Sequence, residues 1–224
     1  GLVTNALSGT MHLYLRDVQS GTTRLLNVGT NRIGYEVSTT TAPSLSADGQ
    51  LVVFDAPDGG FVAGDNNVAN DVFARNWISA TTELISGRQT GLPALTGRSS
   101  SASSLLPFQT SGNGRFVVFT ADGDDLVAND TNGLRDVIVR DLFLGTNILV
   151  SAATNGFSAN GHSFDPVISD SGRFVAFTSS ANNIVAGDSN GLLDIFLCDL
   201  QTGTRTLVSV KTNANAAGNS EKAY

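Results

Sequence analysis

DGQLVVF (48–54), NGRFVVF (113–119) and SGRFVAF (171–177) are three copies of one word, and their recurrence decides the fold. Each is followed about twenty residues later by an Asp-led apolar stretch: DVFARN (71–76), DVIVRD (136–141) and DIFLCD (194–199). A third word closes each unit, as TTELIS (81–86), TNILVS (146–151) and TRTLVS (204–209). Self-similarity at a fixed period is the mark of a repeat architecture. The period here is near 60, because Asp71 to Asp136 is 65 residues and Asp136 to Asp194 is 58, with the extra residues in the Ser-rich stretch 87–107. A degenerate earlier copy appears when LYLRD (13–17) is set on VFARN (72–76), with TTRLLN (22–27) then falling on TTELIS and His12 replacing the leading Asp.

Each unit supplies four short β-rich segments. The first precedes the turn (APSLS 42–46, LPFQT 106–110, DPVIS 165–169), and the three words supply the others. Asp-Gly, Asn-Gly and Ser-Gly stand between first and second segments, where a hairpin needs a residue that tolerates positive φ. LVVF and FVVF are apolar throughout instead of alternating, as strands buried on both faces between neighbouring sheets should be. These features predict an all-β chain, a β-propeller of four-stranded antiparallel blades with three full blades and one half blade. A parallel β-helix is the structural rival, but its coils are shorter and lack paired hairpin turns. The expected units are a half blade over 1–27 (third and fourth strands), blades over 42–87, 106–152 and 165–210, and a linker over 211–224. Leu2-Val3 aligns with Ile184-Val185 and Tyr224 with Pro166, so both ends fall inside the repeat. Because an open arc leaves sheet edges and faces unpartnered, the expectation is a fragment of a larger propeller with neighbouring blades in the same or another chain.

Composition agrees with this and excludes other classes. Asp outnumbers Glu by 17 to 3, Gly reaches 24, and Lys occurs only at 211 and 222, which suits turns and not helices. A net charge of −7 with no basic cluster argues against nucleic acid. Cys198 is the only cysteine, so neither an internal disulfide nor a thiolate zinc cluster can form. No apolar run approaches the roughly 20 residues that span a bilayer, so direct membrane insertion is not expected.

The words DGQLVVF and DIFLCDLQTGTRTLVS, with the VAGDSNG loop, resemble the TolB-type propeller repeat, and NIVAGDSNGLLDIFLCDLQTGT (183–204) is similar to its longer variant, common in large secreted or surface bacterial proteins. The resemblance covers nearly all of the chain. It implies a propeller and a secreted, periplasmic or cell-surface location, and says little of function, since such blades serve as scaffolds, binders and enzymes alike. The first unit departs most, with Ala6, Ser8 and His12 in place of the Asp, Asn and Asp of the other loops.

The sharpest polar pattern is D-x-N-x-x-x-D: Asp65, Asn67, Asp71; Asp130, Asn132, Asp136; Asp188, Asn190, Asp194. Two carboxylates and an amide carbonyl within seven residues could hold Ca²⁺ if backbone carbonyls and water complete its shell, although the pattern is shorter than an EF-hand loop and lacks its terminal Glu. The competing reading is that Asp and Asn here make Asx-turns to nearby N–H groups with no metal. Catalysis is thinly supplied. His12 and His162 sit at unlike repeat positions and read as surface loop residues, and there is no G-x-S-x-G or H-E-x-x-H. Asp122, Asp124 and Asp125 read as a solvated turn, and Cys198 as a buried small apolar residue. Trp77, Phe61 and Phe157 read as packing residues before sugar-stacking ones. Arg75 and Arg140 are expected to pair with loop carboxylates. The expectation is a non-catalytic scaffold or binding module whose partners are other proteins or surface glycans; the alternative is the propeller domain of a larger hydrolase or lyase.

Overall fold

The computed structural model describes residues 7–38, 41–57, 59–63, 65, 70–87 and 107–210. Fourteen strands lie among the described residues. β1 (Tyr14–Asp17) and β2 (Thr22–Leu25) form the half blade; β3 (Ser44–Leu45), β4 (Leu51–Ala56), β5 (Asp71–Asn76) and β6 (Thr81–Leu84) form blade A. Blade B comprises β7 (Gln109–Thr110), β8 (Phe116–Ala121), β9 (Asp136–Asp141) and β10 (Thr146–Leu149), and blade C comprises β11 (Ser163–Ile168), β12 (Phe174–Ser179), β13 (Asp194–Asp199) and β14 (Thr204–Leu207). Within each sheet the strands lie in chain order and every pair is antiparallel, the up-and-down order of a propeller blade. The chain is an all-β propeller arc, and no helix among the described residues is long and apolar enough to cross a membrane.

The Gly-containing turns close each first hairpin as the sequence requires. Gly49, Gly114 and Gly172 all have positive φ (70°, 67° and 75°), and each donates its N–H to a serine carbonyl three residues back, Ser46, Ser111 and Ser169. Those serines receive the returning strand through their hydroxyls: Leu51, Phe116 and Phe174 N–H groups donate to Ser46, Ser111 and Ser169 Oγ, each at 3.0 Å. The first strands of successive blades converge, with Thr110 N–H donating to Ser44 Oγ at 3.1 Å and Ile168 N–H to Gln109 Oε1 at 2.9 Å. β11 begins before the DPVIS word and carries a register shift between Phe164 and Val167, where Pro166 offers no ladder N–H and Asp165 takes φ 49°.

The apolar words are explained by packing on both faces. In blade B, Val117, Phe119, Ala121 and Ile138 join Leu51, Val53, Val72, Ala74 and Ile85 of blade A in one core. The alternate residues Val118, Val137, Val139 and Val150 face the other way and join Val175, Phe177, Phe196 and Cys198 of blade C. Blade A is also packed on both sides, because Phe54, Ala56 and Phe73 meet Phe61, Leu13, Tyr35 and Val37. Burying a side chain of this kind contributes about 1.5–3 kcal/mol, so the stacked faces supply the main cohesion between blades.

Several polar residues depart from the sequence expectation. Arg140 pairs with Glu83 on β6 of blade A at 2.7 Å, a strand-to-strand bridge between blades, because a long side chain on β9 reaches across the sheet stack more readily than down to its own loop. Arg75 donates to the Ala80 carbonyl and Thr82 Oγ1. The residue at the repeat position of Glu83 in the half blade is Arg24, which stacks on Trp77 instead. His12 is half-buried against Asn27, whereas His162 is exposed and accepts the Arg135 N–H.

Candidate metal centres in the blade loops

The D-x-N-x-x-x-D loops connect the second and third strands of each blade. Their last Asp is the first residue of β5, β9 or β13, and all three are buried: Asp71, Asp136 and Asp194. Burial of a carboxylate requires donors, and the closing word supplies one. Ser86, Ser151 and Ser209 each donate a hydroxyl to the Asp fifteen residues earlier, at 2.5 Å. The same hydroxyl oxygens accept the N–H of Val72, Val137 and Ile195. This clasp ties the start of the third strand to the end of the fourth. It was readable in the sequence, because the terminal serine of TTELIS, TNILVS and TRTLVS keeps a constant distance from the strand-leading Asp.

The central Asn behaves as an Asx-turn residue. Asn132 Oδ1 accepts the Leu134 N–H and Asn190 Oδ1 accepts the Leu192 N–H, while their amide nitrogens donate to Asp136 Oδ2 and Asp194 Oδ2 at 2.8 Å. The structure therefore turns an N–H, not a carbonyl, toward the last Asp. Asn67 lies outside the described residues, whereas Asp65 and Asp71 are described.

The first Asp of the motif is different. Asp130 and Asp188 are buried, and neither oxygen of either side chain closes a hydrogen bond. The Asn132 N–H and Ser158 hydroxyl ease the burial of Asp130 from nearby without closing a bond of normal geometry. Burial pushes the Asp130 carboxyl well above the usual carboxylate range, with the like charges of Asp136 and Asp124 adding to it. Asp136 is raised by burial too, and the Ser151 and Asn132 hydrogen bonds pull it partly back. Asp188 is raised by burial and then by Asp194. Asp124 does not lie in a solvated turn: it is buried near this pair and accepts the Gly133 N–H at 3.2 Å. Asp122 does take the surface role, pairing with Arg135 at 3.0 Å. Among the described residues, no group of three or more His, Cys, Asp or Glu side chains is placed to hold a metal ion.

Elsewhere the side chains meet packing needs. Burial raises the Cys198 thiol away from its reactive form, and the residue sits in the B–C core. Phe61 lies in the core, Trp77 Nε1 donates to the Gly49 carbonyl at 2.6 Å, and Phe157 is exposed.

No protein-family model matches the sequence, and no curated protein matches it. Solved structures do. A prolyl endopeptidase is similar at 12% identity with a TM-score of 0.51, over 89% of this chain and 26% of the other. Tricorn protease is similar at 12% identity and TM-score 0.50, over 84% of this chain and 16% of that one. A TolB from Agrobacterium tumefaciens is similar at 15% identity and TM-score 0.44, over 88% of this chain and 55% of that one. This chain thus spans a small part of the two peptidases and about half of the TolB. At such identities the first two likenesses support the propeller architecture and carry no activity with them.

Proposed function

We propose that this chain is a non-catalytic assembly and binding scaffold, an arc of a larger exported β-propeller that meets protein or surface-glycan partners on its loops. The observation that carries the reading is the outer face of blade C. Ala176, Ile195, Leu197 and Val208 occupy the repeat positions of Val118, Val137, Val139 and Val150. Those four valines are 0% exposed beneath blade C, whereas Ile195 is 47% and Val208 50% exposed, and Val167 beside them is 55% exposed. The same chemistry that seats blade C on blade B is therefore presented again, uncovered.

The occupant that fits is a further four-stranded sheet of this repeat. It would bring apolar residues at the positions of Val175, Phe177 and Phe196. A donor at the position of Arg205, whose guanidinium donates to the Leu149 and Val150 carbonyls at 2.9 and 2.7 Å, would reach those of Leu207 and Val208. Export is supported by the resemblance to secreted repeats. A second reading makes the arc the propeller domain of a larger hydrolase or lyase, and it draws on the peptidase identities of the two structures just described. The two readings part on what accompanies the arc in the intact polypeptide: further plain repeats for the scaffold, a catalytic signature for the enzyme.

The test extends the chain by its own unit. A second copy of residues 153–210 placed in tandem after residue 210 is expected to dock on blade C and raise the melting temperature of the whole. Leu197→Asp should abolish that gain while leaving the unextended chain nearly unchanged. An extended chain that melts in two independent steps, with no gain for the original part, would overturn the reading.

A further inference from the structure

One pair of repeat positions is filled in three ways along the arc. Between blades A and B it holds Glu83 and Arg140, joined at 2.7 Å. Between blades B and C it holds Ile148 and Cys198, which share an apolar core. Between the half blade and blade A it holds two cations, Arg24 and Arg75. Arg24 lays its guanidinium over the Trp77 ring, 5.1 Å from the centroid. Arg75 keeps only half of the bonds that Arg140 makes. Its Nη1 donates to the Ala80 carbonyl and Thr82 Oγ1, as Arg140 Nη1 does to the Gly145 carbonyl and Asn147 Oδ1. The other edge of Arg140, Nε with Nη2, holds Glu83, whereas Arg75 Nε is shielded from water and has no acceptor. A buried donor left in that state costs its hydration with nothing in return.

Arg75 lines a cavity of about 460 Å³ together with Arg32, Thr30, Val28, Phe61 and Val62. That volume is typical of small-molecule sites. Among the described residues no Asp or Glu lines it, although the chain as a whole carries a net charge of −7. Arg32 reaches the cavity from a tight turn in which its N–H donates to the Gly29 carbonyl at 3.0 Å and its own φ is 66°, a conformation uncommon outside glycine. We infer that this cavity binds a small organic carboxylate, held between Arg75 and Arg32 with its apolar body against Val28, Phe61 and Val62. A carboxylate fits because the planar fork of a guanidinium matches it bidentately, and Arg140 takes Glu83 by the same edge one seam away. The apolar wall asks for more than a bare ion. Arg32 and Arg75 Nη2 meet the incoming oxygens first, and Nε joins once the ligand displaces the groups that shield it. The cavity lies at the other end of the arc from the open face of blade C, so the inference does not depend on the scaffold reading.

Calorimetric titration of the full chain with sodium 3-phenylpropionate, at constant pH and ionic strength, tests the site. Saturable binding of one equivalent with a Kd on the order of 1 mM is expected. The uncharged 3-phenylpropionamide has nearly the same shape and should bind about tenfold more weakly or worse. Inorganic phosphate should also bind more weakly than the acid, having no apolar body. Arg32→Gln alters an exposed side chain, so it should leave the melting temperature unchanged and weaken the acid about tenfold. Arg75→Gln should weaken it at least as much. Arg16→Gln, at the same repeat position in the half blade but outside the cavity, should bind as the parent does. Equal binding of acid and amide, undiminished binding by Arg32→Gln, or no saturation by about 20 mM would overturn the proposal, and tighter binding of phosphate would overturn the choice of carboxylate.

Discussion

Blades B and C are spelled with nearly the same words, yet they bury them differently. Along β8 and β9 almost every residue is buried, whereas β12 and β13 alternate buried positions with half-buried or exposed ones. Phe196 and Cys198 are packed, while Ile195 between neighbouring turns of the pleat is not. The difference lies in neighbours, not in composition: blade B has blade A on one side and blade C on the other, and blade C has only blade B among the described residues. An apolar strand in a stacked-sheet fold thus reports how many neighbours the unit is shaped for.

The largest test of that contrast is a charge placed at one repeat position in each blade. Val139→Asp should cost more than about 4 kcal/mol, because a carboxylate buried between two sheets has no partner. Leu197→Asp should stay within about 1 kcal/mol in the same chain. Urea denaturation measures both, and equal losses would mean that the outer face of blade C is covered in solution.

A smaller effect is expected from the clasps. Ser151→Ala leaves the buried Asp136 Oδ1 and the Val137 N–H without their partner, a loss of about 2–3 kcal/mol. Ser209 is less deeply placed, so Ser209→Ala should cost about 1 kcal/mol, water replacing the missing hydroxyl. If the two variants melt alike, shielding of blade B is not what makes its clasp matter.

The hairpin turns sharpen the comparison further. Gly172→Ala places a Cβ 2.4 Å from the Phe116 ring of blade B and in a positive-φ position, so a loss of about 1–2 kcal/mol is expected. Gly49→Ala shares the backbone strain with open space around it and should cost about 1 kcal/mol or less. The ordering of the two midpoints is the check.

The smallest effect is at low pH. The Arg173 guanidinium, with the Gln201 N–H, holds the Asp199 carboxyl down to about 2, and Arg115 lowers Asp141 in the same way in blade B. A depressed carboxyl contributes stability that is complete above its unfolded value near 3.9 and is lost as pH falls through the folded value. The melting temperature should therefore decline between about pH 4 and 2, and Arg173→Gln should flatten part of that decline. Both arginines are well exposed, so the change is modest.

The propeller architecture was legible because its signals are local and repeated: turn glycines, apolar words and an approximate period. Pairwise polar contacts between blades were not, since Arg140 finds Glu83 57 residues away and nothing in either word marks the other. The loop motif was only half legible. The sequence grouped Asp130, Asn132 and Asp136 by spacing, but which oxygen each presents depends on the turn, and the turn spends the Asn132 carbonyl on Leu134. The burial of Asp124 and Asp125 is not legible in the sequence, because three acids close together in a polar loop look solvated until folding places those two inside and leaves Asp122 to Arg135.

The serine clasp has a bearing on how such chains lengthen. Because the Asp and its hydroxyl partner lie fifteen residues apart, a duplicated stretch of gene that copies one unit carries both halves of that bond with it. The newborn copy arrives with its strand-leading carboxylate already answered, and its remaining requirement is oily surface, which the preceding copy offers. Growth by tandem duplication is then limited by shape at the seam and not by stranded polarity within the insert.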